Sequence, residues 1–128
     1  MITYAAISNR VGKHSVSGHE NDWTYFSNYV HVLVCLADNP RMRLVEVARR
    51  VGVTERTAFR IITNLEEAGV LSIIKDGRRN TYLIDLKRHL RHPLESHCTV
   101  GQLLRVILSP AAVRKVEKQF ERSQLIKN

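Results

Sequence analysis

The sequence is short of acid, of long apolar runs and of cysteine, and each shortage removes a class of protein. Twelve Asp and Glu stand against twenty Lys and Arg, a net charge of +8 with a pI near 10.0. So basic a chain favours a polyanionic partner, either nucleic acid or an anionic membrane surface. The apolar run Val32-Leu33-Val34-Cys35-Leu36-Ala37 is closed off by His31 and Asp38, far short of the roughly 18 apolar residues that a membrane-spanning helix needs. The opening Met1-Ile2-Thr3-Tyr4 lacks the basic residues that begin a secretory signal, so cytosolic residence is expected. There the two cysteines stay reduced.

Catalytic patterns are missing as well. We find no phosphate-binding Gly loop, no nucleophile with a nearby base, no paired acids and no metal-binding helix at usable spacing. Neither enzymatic activity nor a cofactor is expected. No internal repeat or low-complexity tract occurs.

What remains is an ordinary globular composition, 44% hydrophobic and 25% charged, which argues against a disordered or collagen-like chain. A length of 128 residues fits one modest core. The charge is uneven: residues 41–91 hold twelve basic and six acidic side chains, against two and three over residues 1–40.

Residues 1–22 mix glycine, serine and scattered charge without sustained periodicity and are expected to form a flexible arm. From Trp23, apolar residues at Tyr25, Phe26, Tyr29, Val30, Leu33 and Leu36 recur at three- and four-residue steps, predicting one buried helical face that ends at Asp38-Asn39-Pro40. A second amphipathic stretch places Leu44, Val47, Ala48 and Val51 opposite Glu46, Arg49 and Arg50 and meets a Gly52 stop. Thr54 can cap a third helix over about 54–68, with Ala58, Ile61, Ile62 and Leu65 buried and Arg56, Thr57, Arg60 and Asn64 largely off that stripe.

Two β-rich runs, 70–74 and 81–84, flank Lys75-Asp76-Gly77-Arg78-Arg79-Asn80, whose Asp-Gly pair signals a hairpin. His89 to Pro93 reads as a linker. Thr99 can cap a helix bearing Val100, Leu103, Leu104 and Ile107; Ser109-Pro110 stops it and can start another, with Val113, Val116 and Phe120 in a narrow stripe. The expected fold class is mainly α with a small β-hairpin (α+β), a winged helix-turn-helix with additional C-terminal helices. The expected organisation is an arm at 1–22, a DNA-binding domain at 23–90 and a dimerising helical segment at 91–128.

The functional signal lies in Leu44 to Ile62. Ala48 is small where two helices would cross, Gly52 allows the positive φ of a tight turn, and Val47, Val51, Val53, Ala58 and Ile61 fill the shared interior. In such a helix-turn-helix the second helix offers its N-terminal residues to the major groove.

Over about residues 23–86 the chain resembles winged helix-turn-helix transcription regulators of the MarR and ArsR kind. Three blocks carry the resemblance: 44–57 (LVEVARRVGVTERT), 65–71 (LEEAGVL) and 76–82 (DGRRNTY). It implies a homodimeric regulator of double-stranded DNA, a repressor in the first instance. By that resemblance Thr54, Glu55, Arg56, Thr57 and Arg60 match recognition-helix positions, with Asn64 added on the same helix. Arg78 and Arg79 match the wing tip beside the minor groove. Arginine can hold guanine O6 and N7 bidentately, worth about 1–3 kcal/mol of discrimination, and in a narrow minor groove it reads shape. Lys75, Arg49 and Arg50 are expected at phosphates, giving affinity that falls as salt rises. The family typically dimerises, and Leu103, Leu104, Ile107, Val113, Val116 and Phe120 are the candidate seam.

Rival readings use the same residues. A winged fold can serve as a protein-interaction module, but such a module does not need arginines at both the helix and the hairpin. His89, His92, His97 and Cys98 invite a metal-sensor reading of ArsR type, although their spacing fits known ligand patterns poorly, and no metal ligand is assigned. RNA binding is disfavoured because no aromatic residues interleave the basic wing to stack on bases. A small-molecule effector cleft beside the C-terminal helices is compatible with the pattern, though no residues identify a ligand.

Overall fold

The computed structural model describes residues 22–127; the arm expected over 1–22 lies almost wholly outside the described residues. Helix α1 spans Asn28–Asp38. Ser27 caps it, its hydroxyl accepting from the Tyr29 N–H at 3.3 Å, so helical spacing begins there and not at Trp23. Residues 23–26 therefore fall outside the predicted buried face. Trp23 and Tyr25 are exposed and meet edge to face at 5.0 Å, while Phe26 and Tyr29 lie at its margin. The rest of α1 buries Val32, Leu33, Cys35, Leu36 and Ala37 and forms the spine of the core.

Helix α2 spans Leu44–Val51 and α3 spans Glu55–Glu67. Gly52 between them takes φ +90, a left-handed turn that a side chain would strain. Its N–H and that of Val53 both donate to the Ala48 carbonyl, at 2.8 and 3.0 Å. Thr54 then starts α3 by accepting from the Thr57 N–H at 3.0 Å. The expected stripe of Ala58, Ile61, Ile62 and Leu65 is buried against α1 and α2.

Strands β1 (Leu71–Asp76) and β2 (Arg79–Ile84) pair antiparallel from Leu71 opposite Ile84 to Asp76 opposite Arg79. The hairpin is longer than the sequence pattern predicts. Lys75, Asp76, Arg79 and Asn80 belong to strands, and Gly77-Arg78 alone makes the turn. Gly77 has φ +65 while Arg78 does not cross into positive φ, which suits a turn with glycine at its first central position. Beyond the hairpin, His89 pairs with Thr99 in an isolated bridge, and Leu90 N–H donates to the Cys98 carbonyl at 2.9 Å. The expected linker is thus partly tied down.

Helix α4 spans Val100–Ile107, and its start is a reciprocal capping box between Thr99 and Gln102. Helix α5 spans Pro110–Lys127, with Ser109 accepting from the Ala112 N–H at 3.2 Å. It packs on α1, β2 and α4. Leu104 and Val116 are therefore buried in one continuous core with α1 and α3. That corrects their expected place in a seam between two chains: intramolecular packing already covers them.

Candidate nucleic-acid interface

The exposed side of α3 is defined by what lies behind it. Arg56, Phe59, Arg60 and Thr63 follow at helical spacing, and the buried Ala58, Ile61, Ile62 and Leu65 occupy the opposite side. Arg56 and Arg60 are exposed and form no ion pair with a described residue. Thr54 and Glu55 are also exposed, and Thr57, half-buried, joins Thr54 through their hydroxyls at 3.1 Å. The first turn of α3 is thereby fixed in direction before any ligand arrives.

Phe59 was not foreseen as part of this face, yet it is 62% exposed. A signal existed: an aromatic residue stood outside the 58/61/62/65 stripe of an otherwise regular amphipathic helix.

The hairpin is anchored to the segment that precedes α2. Tyr82 N–H donates to the Pro40 carbonyl at 2.8 Å, and Arg41 comes within 3.9 Å of Asp76. Arg78 lies in the turn, exposed and without an ion pair among the described residues. Lys75 is exposed on β1. Arg79 departs from the wing-tip expectation. It is half-buried, its Nε has no hydrogen-bond partner among the described residues, and it lines a hollow with Arg43, Glu46 and Arg49 at the start of α2.

Three other residues expected at DNA are engaged within the chain. Arg49 lies 3.5 Å from Glu46, one turn back on α2. Arg50 donates to Asp38 at 3.2 Å, which holds its guanidinium even more firmly protonated. Asn64 donates through Nδ2 to the Tyr29 hydroxyl at 2.7 Å and so fastens α3 to α1. All three remain exposed, and Arg50 and Asn64 in addition hold contacts between helices.

Within α1, burial pushes the Cys35 thiol up and lowers His31 from its ordinary value. Of the histidines weighed as metal ligands, His89 has its Nδ1 2.8 Å from the Ser96 carbonyl, and His92 Nδ1 accepts from the Leu94 N–H at 3.0 Å. Among the described residues no three His, Cys, Asp or Glu side chains gather closely enough to hold a metal ion.

Residues 30–72 match the family model described as winged helix-turn-helix DNA-binding. The chain folds as a winged helix-turn-helix. The matched stretch runs from α1 through α2 and α3 to the start of β1, and the wing follows it directly.

Among solved structures the winged helix-turn-helix chain is similar to MepR, a transcription regulator of the Staphylococcus aureus multidrug efflux pump MepA, at 16% identity over 98% of this chain and 80% of that one, with a TM-score of 0.41. It is similar to the PcaV transcriptional regulator of Streptomyces coelicolor at 17% identity over 98% and 81%, with a TM-score of 0.44. A Mycobacterium tuberculosis MarR family protein in complex with salicylic acid gives 17% identity over 99% and 93%, with a TM-score of 0.46. No curated protein matches the sequence at a significant level. Among the described residues no helix is long and apolar enough to cross a membrane.

Proposed function

We propose that this chain is a sequence-specific regulator that binds double-stranded DNA as a homodimer and represses by occupying its site. One observation carries the reading: the side of α3 facing away from the core presents Arg56 and Arg60 with no ion pair to a described residue. In this reading the N-terminal half of α3 enters the major groove, Arg56 and Arg60 hold base edges, and Thr54, Glu55 and Thr57 flank them. Arg78 reaches the minor groove or backbone from the wing. Lys75, Arg49 and Arg79 sit nearer phosphates.

Residues 23–90 form the DNA-binding unit and 91–128 the dimerising segment of the proposal. Val106 is 79% exposed and Leu125 77% exposed, and half-buried Leu103, Ile107, Val113 and Phe120 lie on the same two helices. A second copy covering these apolar groups would set two recognition helices for half-sites about one helical turn apart. A hollow of about 550 Å³ bordered by Tyr29, Leu33, His89, Arg91 and Leu103 is the place this reading gives a small-molecule effector.

The test is selection from a random duplex pool, followed by titration of the enriched duplex. A palindromic product is expected. Arg56→Ala and Arg60→Ala should each weaken binding by about 1–3 kcal/mol and relax preference at one position. Arg78→Ala should weaken all duplexes alike and reduce the salt slope by about one. Failure to enrich any duplex, or arginine variants that bind as the parent does, would overturn the proposal.

A further inference from the structure

Phe59 interrupts the polar surface just described. It follows Arg56 by three residues and precedes Thr63 by four, and so lies beside them on α3, with Arg60 next around the helix. It flanks the core stripe, one turn before Ile62, yet its ring stays 62% exposed. Its neighbours one turn back on the helix are Glu55 and Arg56, and neither Arg56 nor Arg60 forms an ion pair with a described residue. An exposed apolar ring on the same helix as two arginines without ion partners among the described residues suits a polyanion that also carries an isolated apolar group at the right depth.

Duplex DNA has one such group. Base edges in the major groove are hydrogen-bond donors and acceptors except for the C5-methyl of thymine. We propose that Phe59 packs on a thymine C5-methyl and so selects thymine beside the guanines read by Arg56 and Arg60. The inference rests on the DNA-binding reading and adds to it a ligand group and a position.

Helix geometry sets that position. Arg56 and Arg60 are separated by about 6 Å along the helix axis at 1.5 Å per residue, or roughly two base steps at 3.4 Å each. Phe59 lies between them, so the selected thymine falls within about two base pairs of a guanine contact in each half-site. Loss of one buried methyl corresponds to about a fourfold loss of affinity.

The experiment replaces each thymine of the enriched duplex, one at a time, with deoxyuridine, which removes the methyl and leaves pairing intact. Binding is followed by fluorescence anisotropy for the unmutated protein, Phe59→Ala and Phe59→Leu. The expected result is one position per half-site where deoxyuridine weakens the unmutated protein about fourfold. There Phe59→Ala binds thymine and deoxyuridine alike, while Phe59→Leu keeps part of the difference.

If no deoxyuridine position affects the unmutated protein, or if Phe59→Ala keeps the full sensitivity, the methyl contact is wrong. In that case Arg56→Ala still weakens binding and the DNA reading stands. A pool from which no duplex is enriched removes both. The scan on the unmutated protein needs no variant to fold.

Discussion

Helices α3 and α5 are both amphipathic, yet they use their apolar residues differently. In α3 the four residues of the stripe are all buried, and the side facing outward is left to charged and polar residues and one phenylalanine. In α5, an 18-residue helix, Val116 is the buried hydrophobic residue among those described, while Val113 and Phe120 are only half-covered and Leu125 is exposed. Phe120 has Lys87 over its ring at 6.0 Å, and Lys115 reaches back to the Asp38 carbonyl at 2.8 Å. An apolar stripe is thus no measure of burial by itself. What decides is whether neighbouring elements close over it, and α3 is enclosed by α1, α2 and β1.

The contrast is sharpest for single truncations. Leu36→Ala, at the centre of α1 with no exposed surface, should lower stability by about 2–5 kcal/mol, read as a fall in the midpoint of denaturant unfolding. Leu125→Ala should leave that midpoint nearly unchanged at low protein concentration. If α5 meets a second copy, the same change shifts sedimentation towards the monomer. Equal destabilisation by both would erase the distinction between the helices.

Thr54→Ala tests the next level, the fixing of α3 at its start. Loss of the 3.0 Å cap should cost about 1 kcal/mol, seen in thermal melting. Thr54→Ser, which keeps the acceptor, should restore most of it.

The smallest effect belongs to His31. Burial lowers its pKa in the folded chain, so the unfolded chain takes up a proton first as pH falls through about 6.5. The contribution of neutral His31 to stability is present above that pH and is lost towards the lower folded value. His31→Gln should flatten the decline in stability between about pH 7 and pH 5, measured by unfolding at a series of pH values.

Legibility in the sequence followed the range of each interaction. Gly52, Thr54 and Thr99 depend on neighbours within a few residues, and the pattern was sufficient to place them; the reciprocal bond from Gln102 was seen only in the structure. The internal partners of Arg50 and Asn64, Asp38 and Tyr29, lie 12 and 35 residues away and left no mark in the local pattern. Arg78 and Arg79 were indistinguishable as letters; the two-residue turn leaves the first at the tip and turns the second towards α2. Trp23 and Tyr25 had helical spacing, but Ser27 begins the helix after them. Leu104 and Val116 had the correct period for an exposed seam, and only the packing of α5 onto α1 and β2 shows that they are already covered.

The bond from Tyr82 to Pro40 has a mechanical consequence. It joins the middle of the returning strand to the residues that lead into α2, and Arg41 with Asp76 adds a second brace nearer the tip. The hairpin is held at mid-strand by one backbone hydrogen bond, with only a weak exposed ion contact nearer the tip. Bending the strands away from α2 would cost the Tyr82–Pro40 bond, so the freedom left to the hairpin lies in the Gly77-Arg78 turn.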